Sequence, residues 1–463
     1  MRRTPTPGCI MGFQTHGVNQ LAGDEARMSH TSPFGVVEVL LPDTSGILRG
    51  KWLPGSALEK IQKDGVAMPL SMFGLDVWGR EVEETGIHIA TGDKDGLCRP
   101  VPGTLKPVPW SPQTALQVLL SMYLPDGRPW MLDPRHILRS ALDRFTARGL
   151  KPIVAFELEF YLLKPSAVPG EAPLTVYHRA SGPVRQNMYS ISDLDDFSAV
   201  IQEMREAAKI QGLPADSVIS EAAPGQFEIN LNHRDDAMAA ADDAVLLRRM
   251  IRGVARKHGL QASFMPKPYL DSAGSGMHVH ASVLDRDGAN VFLGEGGPER
   301  LRHAVGGLLT HMSDTALMFV SSYNGFRRLM PGSYAPVSLT WGYDNRSVAV
   351  RIPHGKPAAT RVEHRIAGAD ANPYLVLAAI LAAMEEGIDQ RLPAPEPING
   401  NAYDLGAPRL SGSMREAVQR MRTSQFAIRN FGENFTRIYT IMKEMECAEF
   451  ERRISSLEYE TYL

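Results

Sequence analysis

Two glutamates separated by a single residue lie in an otherwise apolar stretch, where the sequence from Ala155 reads Ala-Phe-Glu-Leu-Glu-Phe-Tyr. The alternation of apolar and acidic residues is typical of a half-buried β-strand. Side chains two residues apart on a strand project from the same face, about 6.5 Å apart, so Glu157 and Glu159 share one face. Carboxylates this close repel each other unless a metal ion or a basic group neutralises them. The segment therefore predicts a strand that faces a cation.

Three further segments place polar side chains on one face of a predicted strand. In the first segment one glutamate precedes a Pro-Gly turn and the other polar residues alternate along the strand after it. The second segment contains two histidines, and the third alternates arginine with glutamate. Their polar positions are Glu221, Gln226, Glu228 and Asn230 in the first segment, His278, His280 and Ser282 in the second, and Arg361, Glu363 and Arg365 in the third. A sheet built from these strands turns its charged face either to solvent or into a charged cavity.

Each segment alone has a simpler explanation. A Glu-x-Glu strand is more often a solvated face than a metal site, and a His-x-His pair is as often structural as ligating. An Arg-x-Glu-x-Arg ladder is usually a surface ion-pair network that contributes little stability. Only the combination of all four segments favours a shared charged cavity.

The residue types of these segments favour Mg²⁺ or Mn²⁺ and a phosphate-bearing ligand. Sites made of glutamates with one histidine suit these ions, whereas zinc favours more histidine or cysteine ligands. Such ions neutralise the charge that develops during phosphoryl transfer. The chain has no GxxxxGK[ST] or GxGxxG loop, so we expect metal ions and arginines to hold the phosphates. The residues alone equally permit a two-metal hydrolase.

The overall composition excludes several classes of partner. With 49 basic and 52 acidic residues the formal net charge is −3, which gives no reason to expect nucleic acid or an anionic membrane. Cys9, Cys98 and Cys447 form no CxxC pair, so a reducing cytoplasm fits best. The longest apolar run, 374–384, is shorter than the roughly 20 residues that span a membrane. We therefore predict a cytoplasmic protein with small-molecule ligands.

The order of predicted elements indicates an α+β fold. Residues 1–31 are polar and lack a signal-like apolar segment, and we interpret them as a disordered tail. A β-hairpin opens a small β-rich domain at 32–128, and strands alternate with helices from 129 to 463. The predicted strands are 36–41, 47–53, 115–123, 153–163, 226–231 and 276–283, and the predicted helices are 133–145, 193–211, 235–258, 299–313, 373–386, 413–430 and 434–449.

In the order and spacing of its motifs the chain resembles the glutamine synthetase superfamily, in its bacterial type I form. The similarity extends from about Phe34 to the C-terminus. The matching motifs include Glu157-Leu-Glu159, Glu221 through Glu228, Phe264-Met-Pro-Lys-Pro268, Met277-His278-Val-His280, Arg328-Leu-Met-Pro-Gly332, Asn345-Arg346-Ser347 and Glu363-His-Arg365. The resemblance implies a small β-grasp N-terminal domain and a larger catalytic domain with a curved antiparallel sheet flanked by helices.

The resemblance also implies a role for each polar residue, with two to three Mg²⁺ or Mn²⁺ ions and ATP bound. One ion is held by Glu159, Glu221 and Glu228, and another by Glu157, His278 and Glu363. Glutamate is bound near Gly274 by Arg328 and Arg365, and ATP by His280, Ser282, Arg346, Arg351 and Arg361. The catalytic set is Asp76, Tyr334, Arg346 and Arg365.

The chain departs from the family pattern around the amine. Glutamine synthetases carry a flap motif Arg-Leu-Val-Pro-Gly-Tyr-Glu-Ala-Pro whose glutamate helps to bind ammonium. Here that glutamate is replaced by Tyr334, which offers an aromatic wall instead of an anion. Asp76 matches the family's second ammonium-binding position only loosely. A histidine and an asparagine that the family pattern leads one to expect are Ser220 and Ala273.

Together these features predict an ATP-dependent ligase that joins the γ-carboxylate of glutamate to an amine through γ-glutamyl phosphate. The segment from Glu83 to Leu105 resembles the γ-glutamylpolyamine (putrescine) synthetase branch, so we expect a polyamine or an alkylamine. The alternatives are an ammonia-dependent glutamine synthetase and a non-catalytic structural or regulatory relative. The resemblance further implies a homo-oligomer, a dodecamer of two hexameric rings.

Overall fold

The computed structural model describes residues 34–113, 115–166, 170–175 and 188–463. The predicted N-terminal tail and Cys9 lie outside the described residues. Within them the chain forms two β-sheets with helices packed against them. This arrangement confirms the predicted mixed fold class.

The first sheet has six strands in the order β2-β1-β6-β4-β3, with β5 paired to β6. The strands are β1 (Val36–Pro42), β2 (Leu48–Pro54), β3 (Val66–Pro69), β4 (Asp95–Pro100), β5 (Lys106–Pro107) and β6 (Ala115–Tyr123). Strands β1 and β6 are parallel, and every other pair in this sheet is antiparallel. The antiparallel pairing of β1 with β2 confirms the predicted hairpin. The Asp43 carboxylate closes the turn between them by accepting hydrogen bonds from the amides of Ser45 and Ile47.

The second sheet has eight strands in the order β12-β13-β14-β11-β7-β9-β8, with β10 paired to β7. They are β7 (Lys151–Leu163), β8 (Ala215–Ser220), β9 (Gln226–Leu231), β10 (Gln261–Ser263), β11 (Met277–Leu284), β12 (Trp341–Tyr343), β13 (Val350–Ile352) and β14 (Val362–His364). The strand pairs of this sheet are antiparallel, as predicted, except that β12 and β13 are parallel. The amides of Ala349 and Val350 both donate to the Thr340 carbonyl, so the connecting loop returns the chain to the start of β12.

Helices cover the second sheet and supply most of the core. They are α1 (Leu58–Asp64), α2 (Pro134–Ala147), α3 (Ile191–Asp196), α4 (Ser198–Ile210), α5 (Ala237–Lys257), α6 (Gly297–His311), α7 (Ala316–Phe319), α8 (Pro373–Asp389), α9 (Met414–Thr423), α10 (Gln425–Phe431), α11 (Glu433–Glu451) and α12 (Ser456–Tyr462). Helix α8 is buried along almost its whole length between α2 and α6. No helix among the described residues is both long and apolar enough to cross a membrane.

Two helices predicted to be continuous are each broken by one residue. The predicted helix 193–211 divides at Phe197, whose non-helical backbone turns its ring onto Phe227 at 5.0 Å between centroids. The predicted helix 413–430 divides at Ser424, whose hydroxyl accepts from the Ala427 amide and donates to Asp314. In both cases a tertiary contact outweighs the local preference for a continuous helix.

Buried polar contacts join the first sheet to the helices. The Asn372 side chain caps α8 by accepting from the amides of Tyr374 and Leu375, and its Nδ2 donates to the Asp43 carbonyl at 2.8 Å. The Lys443 ammonium donates to the Ser45 hydroxyl at 3.2 Å. The domain division near residue 128 stays a prediction, as does the cytoplasmic location, although Cys98 and Cys447 are free and buried.

We expect Asn372→Ala to lower the free energy of unfolding by about 1–3 kcal/mol, because a helix cap and a buried hydrogen bond are lost together. Urea unfolding followed by far-UV circular dichroism measures the change. Ser455→Ala is the matched control, since Ser455 caps the exposed α12 without a bond to the first sheet. An equal effect of the two substitutions would show that the Asn372–Asp43 bond contributes nothing.

Candidate active site

The register of the second sheet brings the predicted polar residues into three neighbouring rows. Glu159 on β7 lies opposite Glu228 on β9. The next row contains Asn230, Glu157 and His278, and the third contains His280, Glu363 and Arg351. Residues directly opposite each other on adjacent strands are close enough for their side chains to interact. The sheet therefore gathers the charged faces of five strands, β7, β9, β11, β13 and β14, on one side.

These faces border a cavity of about 400 Å³. The predicted site residues that line it are Glu157, Glu159, Glu221, Glu228, Gly274, His278, Arg328, Tyr334, Arg346, Arg351 and Arg365. The opposite face of β7 is apolar and buried, with Phe156, Leu158 and Phe160 at most 1% exposed. The predicted charged cavity, rather than a solvated sheet face, is what the structure shows.

Glu157 is the central acid of the cavity. Its carboxylate accepts one hydrogen bond from Nδ1 of His278 at 3.1 Å and another from Nε2 of His280 at 2.9 Å. Burial alone would raise the pKa of Glu157, but the hydrogen bonds from the two histidines outweigh it and hold the pKa well below its ordinary value. Glu157 therefore stays ionised in a largely enclosed position.

Two other glutamates of the cavity have pKa values that are shifted in the opposite direction, above the ordinary value. Burial and three neighbouring glutamates raise the pKa of Glu228 to about 10. Burial and the charge of Glu221 raise the pKa of Glu159 to about 7. Carboxylates with raised pKa values in one cavity are those that a bound cation would ionise, because the cation replaces the lost hydration and offsets their repulsion.

Glu363 holds two arginines in place on the basic side of the site. Its carboxylate accepts from Nη1 of Arg351 at 2.8 Å and also pairs with the Arg365 guanidinium. Burial raises the pKa of Glu363, but the charge of Arg365, followed by those of the histidines, lowers it to about 2. The Arg365–Glu363–Arg351 bridge therefore fixes two guanidinium groups at the edge of the acidic cluster.

Arg328 is anchored by the backbone and passes close to a glycine. Its Nη1 donates to the Ile366 carbonyl at 2.8 Å, and its side chain is buried. A Cβ added to Gly274 would lie 2.8 Å from Cγ of Arg328 and 2.5 Å from the Pro266 carbonyl oxygen. Gly274 is therefore required by close packing, which leaves its backbone accessible beside the arginine.

Among the described residues, two groups of side chains could hold a metal ion. In each group the ligand atoms lie within 4.8 Å of one another: Glu157, Glu228 and His278 form one, and Glu157, His280 and Glu363 form the other. These groups differ from the predicted ligand sets, because Glu157 belongs to both and His280 takes a metal-facing position. Glu159 instead accepts from the Gly276 amide at 2.6 Å. The predicted assignment of ligands to two ions stays a prediction, while an oxygen-rich donor set fits Mg²⁺ or Mn²⁺.

Five predicted residues lie outside the cavity lining: His280, Glu363, Arg361, Ser282 and Asp76. Nε of Arg361 donates to Nδ1 of His280 at 3.1 Å, so Arg361 orients that ring from behind. Ser282 lies farther along β11, opposite Ile153. Asp76 lies away from the cavity, where its carboxylate accepts from the amides of Trp78 and Arg80 and pairs with the Arg80 guanidinium at 2.7 Å. Within one chain, the structure does not bring Asp76 to the site.

The flap that carries Tyr334 closes one side of the cavity. Tyr334 has a φ of +58°, a left-handed conformation that is rare for an aromatic residue, and its side chain is 62% exposed. The Tyr403 hydroxyl donates to the carbonyl of the next residue, Ala335, at 3.0 Å. The flap is thus held by a bond from residue 403, and the Tyr334 ring remains available to a ligand.

Sequence reasoning missed several residues that line the cavity. Met188, Tyr189, Ile219, Ala222 and Ser333 all reach it. Met188 and Tyr189 belong to no periodic or charged pattern, so no sequence signal identifies them. Gln226 lay on a predicted polar face, and the structure shows its amide donating to the Gly274 carbonyl at 3.0 Å.

Comparisons with known proteins agree with this geometry. The family described as glutamine synthetase, catalytic domain, matches residues 131–462. The γ-glutamylputrescine synthetase of Escherichia coli K12 is 39% identical over 443 residues, covering 92% of this chain and 91% of that protein. A glutamate–isopropylamine ligase of a Pseudomonas species is 34% identical, covering 91% and 93%. A solved structure of a GmaS–ADP complex has a TM-score of 0.80 at 26% identity, covering 93% and 97%.

We expect Glu157→Gln to weaken Mn²⁺ binding by at least about tenfold, because the substitution removes the negative charge that both ligand groups share. Electron paramagnetic resonance of free Mn²⁺ measures the affinity. Glu206→Gln on the exposed face of α4 is the control for a general change of charge. Equal Mn²⁺ affinity of Glu157→Gln and the unmodified protein would contradict the assignment of this cluster to a metal ion.

Proposed function

Because the chain belongs to the glutamine synthetase family, we propose that it joins the γ-carboxylate of glutamate to the nitrogen of an alkylamine or a polyamine. ATP transfers its γ-phosphate to the carboxylate, releasing ADP. The amine then attacks the acyl carbon of γ-glutamyl phosphate, phosphate leaves, and the nitrogen loses a proton. Activation is needed because a free carboxylate is a very poor acyl donor. The named activities of the Escherichia coli and Pseudomonas relatives support this reaction class.

The observation that carries the proposal is the contrast between the two sides of the cavity. The acidic, histidine and arginine residues of the family pattern are all present, and most of them line one cavity. The flap, by comparison, presents Tyr334 where glutamine synthetases present a glutamate. An uncharged ring at a cavity that Met188 and Ile219 also line favours a substrate with methylene groups over ammonium. A cationic amine end can also contact the ring face.

The glutamates and histidines would hold divalent ions, Mg²⁺ or Mn²⁺, which neutralise phosphate charge when bound. Arg328 and Arg365 would bind the glutamate carboxylates, with the backbone of Gly274 beside them. Arg346 and Arg351 would stabilise the negative charge of the transferred phosphoryl group. Arg361 would act through His280, whose ring it positions.

Ammonia-dependent glutamine synthesis is the second candidate, and the Tyr334 substitution disfavours it. A non-catalytic role is disfavoured because every predicted metal ligand is present in the sequence. We further propose that the protein is a homo-oligomer, a dodecamer of two hexameric rings. In such an assembly Asp76 would lie at the cavity of a neighbouring subunit, which agrees with its absence from the cavity of its own chain.

We expect phosphate release from ATP to require both glutamate and an amine, and to be faster with putrescine or a small alkylamine than with ammonium. A coupled assay with Mg²⁺ or Mn²⁺ and a panel of amines measures these rates. A preference for ammonium would contradict amine ligation. Phosphate release without glutamate would contradict ligation altogether.

We expect Tyr334→Glu to raise kcat/KM for ammonium relative to the best alkylamine by about fivefold or more, since one added charge pair contributes roughly 1 kcal/mol or more. Steady-state kinetics with the two amines measures the ratio. Tyr459→Glu places the same change on the exposed helix α12 and should leave the ratio unaltered. An unchanged ratio in Tyr334→Glu would show that the flap does not contribute to the amine pocket.

A further inference from the structure

A second cavity, which shares no lining residue with the first, lies between the β1–β2 turn, helix α5 and the segment around residue 370. Its volume is about 430 Å³. Its basic lining residues are Arg248, Arg249, Arg252, Arg256 and Lys443. Asp370 is the one acidic side chain among the described residues that line it.

Part of this positive charge is already balanced inside the protein. The Arg249 guanidinium pairs with Glu38, and the Lys443 ammonium pairs with Glu446 at 3.0 Å. Arg248, Arg252 and Arg256 have no carboxylate partner within ion-pair distance among the described residues. Three arginines therefore face a cavity that holds one carboxylate, which leaves an excess of positive charge.

Arg248 provides a buried donor in the floor of the cavity. The residue is only 5% exposed, and its two terminal nitrogens donate to the carbonyls of Asp370 and Ala371 at 3.3 and 2.8 Å. Its Nε has no hydrogen-bond partner among the described residues. A buried donor without a partner is unfavourable unless a ligand or water accepts from it. Burial, followed by the charge of Arg252, lowers the pKa of Arg248 to about 9, which an anion would reverse.

The arginines are spaced to bind more than one anionic group. Arg248, Arg252 and Arg256 are four residues apart on α5 and so lie on one face, about 6 Å apart along the helix axis. Arg252 and Arg256 are exposed at the mouth, whereas Arg248 is buried at the floor. Guanidinium groups bind phosphate oxygens bidentately. The row therefore matches a ligand with several linked phosphates.

An aromatic depression continues from the mouth of this cavity. It is lined by Trp52 and Trp110, and it shares Trp110, Gly253 and Arg256 with the basic cavity. Trp52 is 64% exposed. A Cβ at Gly253 would lie 2.2 Å from Nε1 of Trp110, so the glycine allows the indole to lie against the helix. The two tryptophans offer a surface on which a planar ring can stack.

We infer that the basic cavity and the adjoining tryptophans form a second ligand site for a nucleoside triphosphate or diphosphate, distinct from the catalytic cavity. The phosphates contact Arg248, Arg252 and Arg256, and the base stacks beside Trp110 and Trp52. This site contains no cluster of carboxylates, so it binds the nucleotide without a divalent ion. The catalytic cavity, by contrast, needs a cation to neutralise its glutamates.

The difference in metal requirement allows a direct test on the full-length protein. ATP, tripolyphosphate and adenosine are each titrated in EDTA, with equilibrium dialysis of labelled ATP and quenching of tryptophan fluorescence as the two measurements. We expect one ATP bound per chain, weaker binding of tripolyphosphate, and no saturable binding of adenosine. Absence of ATP binding in EDTA would overturn the inference. Equal affinities for tripolyphosphate and ATP would overturn the assignment to a nucleotide.

Substitutions separate this site from the catalytic one. Arg252→Gln with Arg256→Gln should weaken ATP binding in EDTA at least tenfold, and Trp52→Leu should remove the advantage of ATP over tripolyphosphate. Arg346→Gln makes the same change in the catalytic cavity and should leave binding in EDTA unaltered. A loss of binding in Arg346→Gln, or full affinity in the double variant, would place the nucleotide in the catalytic cavity and contradict the inference.

A further pair of surface arginines controls for loss of positive charge. Arg139 and Arg205 are exposed on α2 and α4, and Arg139→Gln with Arg205→Gln should bind ATP as the unmodified protein does. Equal weakening in this pair would show non-specific attraction of the anion and overturn the site. Because the Arg252 guanidinium lies 5.0 Å from the ring centroid of the buried Phe264, thermal unfolding of each variant is measured beside its ATP affinity, which separates a loss of stability from a loss of binding. The test does not depend on which amine the enzyme uses.

Discussion

The repulsion among carboxylates on one face of the second sheet is the constraint on which the rest of the structure depends. Glutamates that share an enclosed cavity remain ionised only where a cationic or hydrogen-bonding partner is provided. The two imidazoles supply that partner for Glu157, and two guanidinium groups supply it for Glu363. The remaining acids are left to an external cation. Some of the carboxylates on this sheet are therefore neutralised by the protein's own side chains, and the others need a bound cation.

Much of the site was predictable because strand periodicity determines which side chains share a face. The alternation around Glu157 and that around His278 were both confirmed, and each strand appears within two residues of the predicted bounds. Periodicity does not give the pairing of strands that are far apart in the sequence. The placement of Glu157 between two histidines therefore emerged only from the register. The family resemblance identified these residues but did not predict that Glu157 bonds to both histidines.

Other features had no local signal. Helix breaks at Phe197 and Ser424 depend on contacts with distant residues. Tyr189 reaches the cavity from a positive-φ turn, with its amide bonded to the Ser220 carbonyl. Very short strands such as β12 and β13 contain too few residues for a period to be recognised. The sequence therefore predicts the charged residues of the cavity well, and the residues at the margin of the cavity poorly.

The bond from Arg328 to the Ile366 carbonyl has a consequence for how such an enzyme can diversify. Ile366 directly follows the segment that contains Glu363 and Arg365, so Arg328 and the Glu363–Arg365 pair are joined through one short stretch of backbone. The flap is held through the two neighbours of Tyr334, since the Ser333 hydroxyl donates to the Arg328 carbonyl and the Tyr403 hydroxyl donates to the Ala335 carbonyl. No hydrogen bond of the flap that the described residues show involves the Tyr334 side chain, so this ring can be exchanged without breaking the bonds that hold the flap in place.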